Sequence, residues 1–202
     1  MHSSNRQQLR KQMRERRRQL SKAQQSLASQ RLLTLLGRHP LFRNSKRIAF
    51  YCALDGELNP HLLLARALRM GKQCYLPVIR RDRSNKMIFV RYQPGMGTTI
   101  NRYGITEPLP QRHRILPAWG LSLVLMPLVA FDPQGSRLGM GKGYYDRAFA
   151  FVRRQSRQVK LIGLAHECQK VARLETAAWD IPLDKIVSDG GIYECGQKAG
   201  KR

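Results

Sequence analysis

The alternation of apolar runs with helical patterns constrains the fold of this chain more than any other feature of its sequence. Short apolar runs typical of strands recur along the chain, and segments with apolar residues at helical spacing separate most of them. The strand candidates are residues 46–54, 73–79, 86–92, 121–131, 160–165 and 184–188. The helix candidates are residues 5–36, 59–72 and 145–153. This order predicts a parallel or mixed sheet between helices, and because no linker divides the chain, we expect one domain over residues 1–202.

The first helix candidate is basic. Leu9, Met13 and Leu20 form an apolar stripe near the helical period. A second face carries Arg6, Arg10, Arg14 and Arg17. The sequence therefore predicts an amphipathic, arginine-rich helix over residues 5–36.

Turn and end signals define other segments. The helix at 59–72 has Asn59 as its N-cap, Pro60 at its first position and Gly71 beyond its end. The run at 121–131 is apolar throughout, which is typical of a strand covered on both faces. Residues 196–202 are predicted to form a flexible basic tail.

The chain is strongly basic. It has 37 Lys and Arg against 13 Asp and Glu, a formal charge of +24, and the first 47 residues hold 13 of the basic residues and one acidic residue, Glu15. This charge predicts an anionic partner and does not distinguish between nucleic acid, a membrane surface and a multiply charged small substrate. The longest apolar run is too short to span a bilayer, and no secretory signal follows the basic start, so we expect a cytoplasmic protein. The four cysteines form no CxxC pair and the histidines no HxxxH pair, so neither a zinc site nor a disulfide framework is indicated.

Glycines crowd the segment DPQGSRLGMGKGYYDR, residues 132–147. Glycine backbone lets amide hydrogens approach phosphate oxygens closely. A Walker loop would need glycine at Ser136, and a dinucleotide fingerprint would need it at Tyr144, so neither is supported. A phosphate-binding loop is the functional hypothesis, and a tight turn with a surface lysine is the structural alternative. Side chains suited to phosphates, rings or metal ions stand in the segment: Arg137, Lys142, Tyr144, Tyr145 and Asp146.

The stretch MPLVAFDPQGSRLGMGKGYYDR resembles the signature of the 5-formyltetrahydrofolate cyclo-ligase family, also called methenyltetrahydrofolate synthetases. Further segments stand in the family's order: RQQLR, DGELNP, RYGITEP, GLAHECQ and WDIPLDKIV. The resemblance implies a three-layer α/β/α domain with a mixed, mostly parallel sheet. It also implies ring closure of 5-formyltetrahydrofolate to 5,10-methenyltetrahydrofolate at the expense of ATP, with Mg²⁺ as cofactor and ADP and phosphate as products. The expected partners are ATP and a folate, with or without a polyglutamate tail, and the expected state is a monomer with at most non-specific nucleic-acid affinity.

The resemblance also implies roles for particular residues. ATP binding falls to Arg6, Arg10, Arg137, Leu138, Gly139, Met140, Gly141, Lys142, Gly143, Tyr144 and Tyr145. Substrate binding falls to Cys52, Glu57, Tyr103 and Tyr144. Lys142 and Tyr144 are the predicted catalytic residues, and Asp146 and Asp180 the predicted magnesium ligands.

The chain departs from the family pattern at three positions. Arg6 stands where lysine is more frequent, Pro60 where threonine is common, and Lys142 where many members have glycine. Structural alternatives exist for several roles: a solvated basic face for Arg6 and Arg10, capping for Glu57, and packing for Tyr103. The arginines from Arg14 to Arg18 are expected to form a solvated basic face. Asp132 is a further metal candidate, although capping its turn is the expected task.

Two other classes of function fit parts of the sequence. The charge and the arginine-rich helix suit a basic RNA-binding or ribosome-associated protein without folate chemistry. A small kinase or other phosphotransferase would use the same glycine-rich loop. ATP-dependent formation of a methenyl product from the folate separates the cyclo-ligase from both.

Overall fold

The computed structural model describes residues 2–80, 82, 86–153, 159–175, 177 and 179–195, with the backbone alone for 2–4. Within these ranges the α-helices are α1 (His2–Arg18), α2 (Lys22–Gly37), α3 (Pro40–Asn44), α4 (His61–Arg69) and α5 (Tyr144–Ala148). The strands are β1 (Arg47–Ala49), β2 (Gln73–Ile79), β3 (Met87–Arg91), β4 (Thr98–Ile100), β5 (Thr106–Pro108), β6 (Ile115–Leu116), β7 (Leu123–Pro127), β8 (Ala130–Phe131), β9 (Arg137–Leu138), β10 (Lys160–Leu164), β11 (Lys185–Val187) and β12 (Ile192–Glu194). The 3₁₀ helices are Arg112–Arg114, Ala118–Gly120, Ala150–Arg153 and Glu167–Gln169. The predicted tail at 196–202 lies outside the described residues.

Eight of these strands form one mixed sheet in the order β12-β11-β10-β7-β1-β2-β3-β6. The pairs that join β11, β10, β7, β1 and β2 are parallel, and β12, β3 and β6 pair in antiparallel fashion at the two sides. After β1 the chain moves through β2 and β3 to one side, and from β7 it moves through β10 to the other. The sheet order therefore reverses between β1 and β7, which is where open α/β sheets bind ligands, beyond the carboxyl ends of the strands.

Helices cover both faces of the sheet. Ile48 and Leu125 pack on one face with Leu32 of α2 and Leu63 of α4. Neighbouring strand residues, including Val124 and Met126, point to the other face, where they pack with Phe149 and Val152 beyond α5. Strand side chains alternate between faces in this way because the strand period is two. The predicted three-layer α/β/α architecture with a mostly parallel sheet is confirmed.

The predicted helix over 5–36 is wrong in its length, because it is two helices. α1 ends at Arg18 and α2 begins at Lys22. Between them, the hydroxyl of Ser21 accepts a hydrogen bond from the Gln24 amide at 3.2 Å, and the Gln24 side-chain oxygen accepts one from the Ser21 amide at 2.8 Å. This capping box satisfies amides that a continuing helix would bond to carbonyls of the preceding turn, so the chain starts a new helix there.

The apolar run at 121–131 is likewise two strands rather than one. Leu128 still donates its amide to the Leu164 carbonyl at 3.0 Å, but Val129 donates to the Leu138 carbonyl at 2.8 Å. The chain thus changes partner at Val129, two residues after Pro127, which has no amide hydrogen to donate to the ladder. β8 leaves the main sheet and pairs with β9 in a separate hairpin.

Other predictions differ in smaller ways. The strand at 73–79 matches β2 exactly in its bounds, whereas the strand at 46–54 is confined to β1 at Arg47–Ala49. In α4 the Asn59 side chain accepts from the His61 amide at 3.0 Å, as a cap should, but Pro60 stands one position before the helix. Gly71 follows this helix at φ +70°, as predicted. The sequence did not predict the β4–β5 hairpin.

Candidate active site

A large cavity of about 1580 Å³ lies at the carboxyl ends of β1, β2 and β7. Its walls come from α1, the loop after β1, the β4–β5 hairpin, the loop at 139–143 and the segment at 173–180. The predicted site residues that line it are Arg6, Arg10, Cys52, Glu57, Tyr103, Arg137, Gly139, Met140, Gly141, Lys142, Gly143, Tyr144, Tyr145, Asp146 and Asp180. Leu138 is the exception: its side chain is buried beside Met13 and Val129 and turns away from the cavity.

The loop at 139–143 is shaped to hold arginine side chains against its backbone. Arg10 donates from Nε to the Gly139 carbonyl at 2.9 Å. Gly141 has φ +88°, and a Cβ there would lie 3.2 Å from Arg10 Cζ. Glycine at this position is therefore required both by the backbone conformation and by the guanidinium packed on it. Gly135 has a different task in the β8–β9 turn, where a Cβ would lie 2.6 Å from Cys195 Cβ.

Two arginines of α1, Arg6 and Arg10, lie beside this loop, and Arg6 has an N–H donor without a hydrogen-bond partner among the described residues. Arg6 pairs with Asp180, Nη2 to Oδ2 at 3.5 Å, but its Nε is buried without a hydrogen-bond partner among the described residues. Burial lowers the pKa of the Arg10 guanidinium, and the positive charge of Arg6 lowers it further. Two cations held close together with an unpaired donor form a strong site for an anion. The five-residue helix α5 that follows the loop adds little dipole to it.

Arg137 is committed to neighbouring protein groups. Its guanidinium is 9% exposed and donates from Nη2 to Asp146 Oδ1 and from Nη1 to the Ile181 carbonyl. The Ile181 amide donates to the same Asp146 oxygen at 3.2 Å. Burial lowers the pKa of Arg137, and the charges of Asp146 and Asp180 oppose that shift. Arg137 thus fixes Asp146 and the segment at 180–181 relative to the glycine loop.

The donor set at the loop fits magnesium that arrives with phosphates. Asp146 and Asp180 both line the cavity, and Asp180 is held by the Ala177 amide at 2.8 Å. Within the described ranges there is no cluster of three or more His, Cys, Asp or Glu able to hold a metal ion. Magnesium in phosphoryl-transfer sites is usually held by one or two carboxylates plus phosphate oxygens and waters, and two hard oxygen ligands are what this site offers.

Asp132 does not face the cavity. It is fully buried, and its Oδ1 accepts from the Ser136 amide at 2.8 Å and the Gln134 amide at 3.1 Å, while Oδ2 accepts from the Leu174 amide at 2.8 Å. All three bonds stabilise the β8–β9 turn and the segment beside it. Capping is therefore its task, as the sequence led us to expect.

The other end of the cavity is less charged. Glu57 is held by the Leu54 amide, which donates to Oε2 at 3.2 Å, and Arg17 Nη1 lies 3.9 Å from Oε1. Burial raises the pKa of the Glu57 carboxyl, and the positive charge of Arg17 opposes this. Burial also raises the pKa of the Cys52 thiol, so Cys52 is an uncharged wall residue rather than a nucleophile.

Two tyrosines join opposite walls of the cavity. The hydroxyl oxygens of Tyr103, on the β4–β5 hairpin, and Tyr144, at the start of α5, lie 2.9 Å apart. Arg102 donates from Nη2 to the Tyr144 hydroxyl at 2.8 Å. Although burial raises the pKa of Tyr144, the hydrogen bonds from Tyr103 and Arg102 lower it overall. The hairpin that the sequence did not reveal thus reaches the glycine loop.

Comparison with known proteins decides the family. The profile of the 5-formyltetrahydrofolate cyclo-ligase family matches residues 2–189. The chain belongs to this family. It is 36% identical over 182 residues to the 5-formyltetrahydrofolate cyclo-ligase of Escherichia coli, covering 90% of this chain and 99% of that protein. It is 37% identical over 191 residues to the Haemophilus influenzae cyclo-ligase, covering 93% and 99%.

Solved structures of cyclo-ligases share the fold. The NMR structure of Aquifex aeolicus 5,10-methenyltetrahydrofolate synthetase aligns with a TM-score of 0.81 at 29% identity, covering 98% of this chain and 96% of that one. The Mycoplasma pneumoniae synthetase aligns with a TM-score of 0.67 at 25% identity, covering 91% and 98%. The chain is accordingly an enzyme of the cyclo-ligase family. None of its described helices has the length and apolar character needed to cross a bilayer.

The structure of this cyclo-ligase family member reveals an anchor for α1 that the sequence analysis missed. Arg14 and Arg17 both pair with Asp55 Oδ2, at 2.9 and 3.0 Å, Arg18 pairs with Oδ1, and Arg17 Nε donates to the Asp55 carbonyl at 2.8 Å. Arg17 is 1% exposed, so the expectation of a solvated face is wrong for Arg17, whereas the Arg14 and Arg18 side chains keep 35% and 51% of their surface exposed. Two features of the sequence could have predicted this anchor. An Asp55-Gly56 turn follows the first strand, and the arginine-rich helix α1 has one acidic residue of its own, Glu15.

The apolar part of the cavity wall also escaped the sequence analysis. It includes the side chains of Leu54, Pro77, Ile79, Met87, Ile105, Met126 and Trp179. Met126, Ile105 and Trp179 stand in the quoted family segments, but no role was predicted for them, because strand-end and hairpin residues become neighbours only in the folded sheet. Trp179 is 68% exposed at the rim.

A histidine behind the Glu57 loop gives this enzyme an acid-sensitive contact. His166 is 2% exposed, its Nε2 lies 3.1 Å from the Gly56 carbonyl, and its Nδ1 lies 3.8 Å from Asp189 Oδ1. Burial lowers the pKa of His166, against the opposing effects of Asp189 and the Gly56 carbonyl. Burial outweighs these two contacts and therefore favours neutral imidazole.

Acidification is expected to remove stability through His166. Because its pKa is lower in the folded than in the unfolded chain, where it is about 6.5, the contribution is present above that pH and is lost as pH falls below it. The His166→Asn variant should lose less unfolding free energy than the parent protein between about pH 7.5 and pH 5.5, measured by urea denaturation. The exposed His113→Asn variant should follow the parent. Identical pH dependence in all three proteins would contradict this role.

Proposed function

We propose that this protein closes the ring of 5-formyltetrahydrofolate to give 5,10-methenyltetrahydrofolate, consuming ATP and requiring Mg²⁺. The observation that carries the proposal is that one cavity is lined by all but one of the predicted site residues, with cationic donors at one end and the partly buried Glu57 carboxylate and tyrosines at the other. Use of ATP accords with membership of the cyclo-ligase family. Cytoplasmic location, the monomeric state and any use of polyglutamylated folate stay predictions.

The chemistry explains why ATP is needed. The formyl group on N5 is an amide, so its carbon is a poor electrophile and its oxygen a poor leaving group. Transfer of the γ-phosphoryl group to the formyl oxygen breaks the bond to the β-phosphate oxygen and releases ADP. N10 then attacks the activated carbon and loses its proton, the carbon–oxygen bond breaks, and phosphate departs. For such a transfer the protein mainly positions the reactants and provides positive charge around the phosphoryl group that is transferred.

The phosphate end is proposed to lie at the loop 139–143. Backbone amides there, the unpaired Arg6 Nε and the Lys142 side chain provide donors for the β- and γ-phosphates. Asp146 and Asp180 would hold Mg²⁺, which when bound neutralises phosphate charge and orients the terminal phosphoryl group. Arg137 acts indirectly in this scheme, because its guanidinium holds Asp146.

The folate end is proposed to lie between Glu57 and Tyr144. The Glu57 carboxylate suits the N–H donors of the aminopyrimidine ring, and the nearby Arg17 favours its ionised form. Cys52 and Tyr103 line the same end of the cavity. The Tyr144 hydroxyl, which Arg102 and Tyr103 hydrogen-bond, would lie beside the formyl group.

The alternative functions have weaker support. A basic RNA-binding protein without folate chemistry gives no reason for a cavity that joins paired arginines to a buried glutamate, and the family to which the chain belongs is a family of enzymes. A small kinase would use the loop 139–143 but has no need for Glu57 or the Tyr103–Tyr144 pair.

An absorbance assay tests the proposal. We expect growth of the near-ultraviolet absorbance of the methenyl product when the protein is mixed with 5-formyltetrahydrofolate, ATP and Mg²⁺, and no growth when ATP is left out or Mg²⁺ is chelated. ADP should form in step with the product, because each ring closure consumes one phosphoryl transfer. ADP formation that is indifferent to folate would favour a phosphotransferase, and the absence of both signals would overturn the enzyme proposal.

A further inference from the structure

The end of the sheet opposite the cavity, where β1 and β2 begin, carries a cluster of exposed cations. We call this cluster the basic edge: Arg43, Lys46, Arg47, Arg69 and Arg91. Arg47 begins β1, and Arg43 and Lys46 lie just before it. Arg69 ends α4, which runs back to the start of β2. Arg91 ends β3, and because β3 is antiparallel to β2, with Arg91 opposite Tyr75, it returns to the same edge. Four chain segments thus bring positive charge to one place.

These charges are not neutralised within the protein. None of the five side chains forms an ion pair in the described part of the chain. The carboxylates at this end of the sheet are Asp184 and Glu194, and they pair with Lys160 at 3.1 Å and with Lys185, respectively, on the side of β10 to β12. The portion formed by β1, β2 and β3 therefore keeps its full positive potential, which attracts polyanions.

Two of the cations converge on a polar centre. Arg47 of β1 stands opposite Gln73 of β2, and Arg91 of β3 stands opposite Tyr75 of β2, so the two arginines flank this pair of polar residues on one face of the sheet. Burial raises the pKa of Tyr75, and the positive charges of Arg91 and Arg47 oppose this. The Tyr75 hydroxyl donates to the Gln73 side-chain oxygen at 3.0 Å. The backbone of Arg47 is fixed through Ser122 Oγ, which accepts from the Arg47 amide at 3.0 Å and donates to its carbonyl at 2.8 Å. Two members of the basic edge, Arg47 and Arg91, are therefore carried by sheet backbone.

An exposed aromatic residue accompanies these cations. Trp119 is 67% exposed in the 3₁₀ helix that leads to Ser122. Its neighbours Ala118 and Leu121 pack in the cluster that contains Tyr75. Three peptide links of about 3.8 Å each keep the Trp119 Cα within about 11 Å of the Ser122 Cα. An exposed indole on the segment that leads to Ser122, which bonds to the Arg47 backbone, supplies the aromatic part of a base-stacking platform, in which aromatic faces hold bases and cations hold phosphates.

We propose that the basic edge and Trp119 bind single-stranded nucleic acid at a surface separate from the catalytic cavity. The phosphates contact Arg43, Lys46, Arg47, Arg69 and Arg91, and a base stacks on the indole. This surface does not read sequence, because cations and a single aromatic face recognise features common to all bases. An anionic membrane is a poorer fit, because interfacial binding needs a continuous apolar face, whereas Met70 and Trp119 are exposed singly on separate elements.

Fluorescence anisotropy with the full chain and a labelled oligothymidylate of about 15 nucleotides tests the proposal, in the absence of ATP and folate. The Arg47→Gln/Arg91→Gln variant should bind about tenfold more weakly. Its slope of log K against log salt should be shallower by about 1.4, since each phosphate contact on a single strand contributes about 0.7. The Lys11→Gln/Arg16→Gln variant removes the same charge from exposed positions of α1 and should keep the parent slope. Equal weakening by both variants would show that the net charge of +24 alone attracts the oligonucleotide, and would overturn the proposal.

Trp119 provides an independent measurement. The Trp119→Ala variant should bind about fivefold more weakly or worse with an unchanged salt slope, because stacking releases no counterions. In a Trp179→Phe protein, where Trp119 is the remaining tryptophan, the oligonucleotide should quench the fluorescence. Binding to phosphatidylserine vesicles with no binding to the oligonucleotide would assign the surface to membranes instead and overturn the proposal.

The result does not depend on one variant. The thermal midpoint of each protein checks that it is folded, and the Arg43→Gln/Lys46→Gln variant removes two other members of the basic edge with the same expected change in slope. Because the assay contains no folate, its failure would leave the proposed cyclo-ligase reaction untouched. Failure of the absorbance assay would likewise leave this surface untouched.

Discussion

The Lys142→Ala variant is expected to lower kcat by about 10²–10³-fold, the usual effect of removing one preorganised group from a developing negative charge. Lys142 lines the cavity in the glycine loop, between Gly141 and Gly143. The loop backbone is held without its side chain, because Arg147 Nη1 donates to the Lys142 carbonyl at 2.9 Å. The loss should therefore appear in the rate of methenyl product formation and not in the thermal midpoint.

Two controls define the cause. The Lys142→Arg variant keeps the charge with a different geometry and should retain more activity than the alanine variant. The Lys11→Ala variant removes an exposed lysine of α1 that does not line the cavity and should keep the parent rate. Normal turnover by the Lys142→Ala variant would remove Lys142 from the phosphoryl-transfer step.

The Asp55→Ala variant is expected to lose about 3–5 kcal/mol of unfolding free energy, the cost of breaking a buried ion pair by removing one partner. Asp55 receives Arg14, Arg17 and Arg18, and Arg17 is 1% exposed, so its charge would be left buried beside Glu57 alone. Asp55 also has φ +56°, a conformation that aspartate tolerates better than alanine. Urea denaturation measures the loss, and the apparent Km for ATP should rise because α1 carries Arg6 and Arg10.

A matched surface pair separates this anchor from an ordinary ion pair. Arg80 and Asp82 pair at 2.6 Å, but their side chains are 53% and 43% exposed. Exposed pairs contribute about 0–1 kcal/mol, so the Asp82→Ala variant should be close to the parent in stability. Equal stability of the Asp55→Ala and Asp82→Ala variants would contradict the proposed anchoring of α1.

Elements whose cause is local were predictable from the sequence. The strand at 73–79 has a continuous apolar pattern and a glycine before it, and its bounds are those of β2. The break between α1 and α2 also has a local cause, because Ser21 and Gln24 form a recognisable capping box. It was not predicted, because the helical pattern over residues 5–36 was interpreted as one helix. The division of the run at 121–131 into two strands could not be predicted from the sequence. It depends on the hydrogen bond between Val129 and Leu138, which become neighbours only in the folded chain.

In the candidate site, too, residues within motifs were predictable from the sequence, and contacts that depend on the fold were not. The resemblance supplied residues that belong to motifs, and all of them except Leu138 line one cavity. It did not supply the partners that those residues use inside the protein. Arg137 stands in the glycine-rich segment and was expected at a phosphate, whereas its burial and its bonds to Asp146 and Ile181 arise from packing. Arg17 was expected in water for the same reason: its partner Asp55 lies 38 positions away.

The contact between Arg6 and Asp180 joins positions 174 apart in the chain. During translation, a domain of this kind emerges from the ribosome with its amino-terminal part first. The proposed nucleotide site therefore lacks the wall that carries Asp180 until synthesis has passed residue 180. A nascent chain stalled before that point should be unable to retain ATP, however much of the sheet it has already formed.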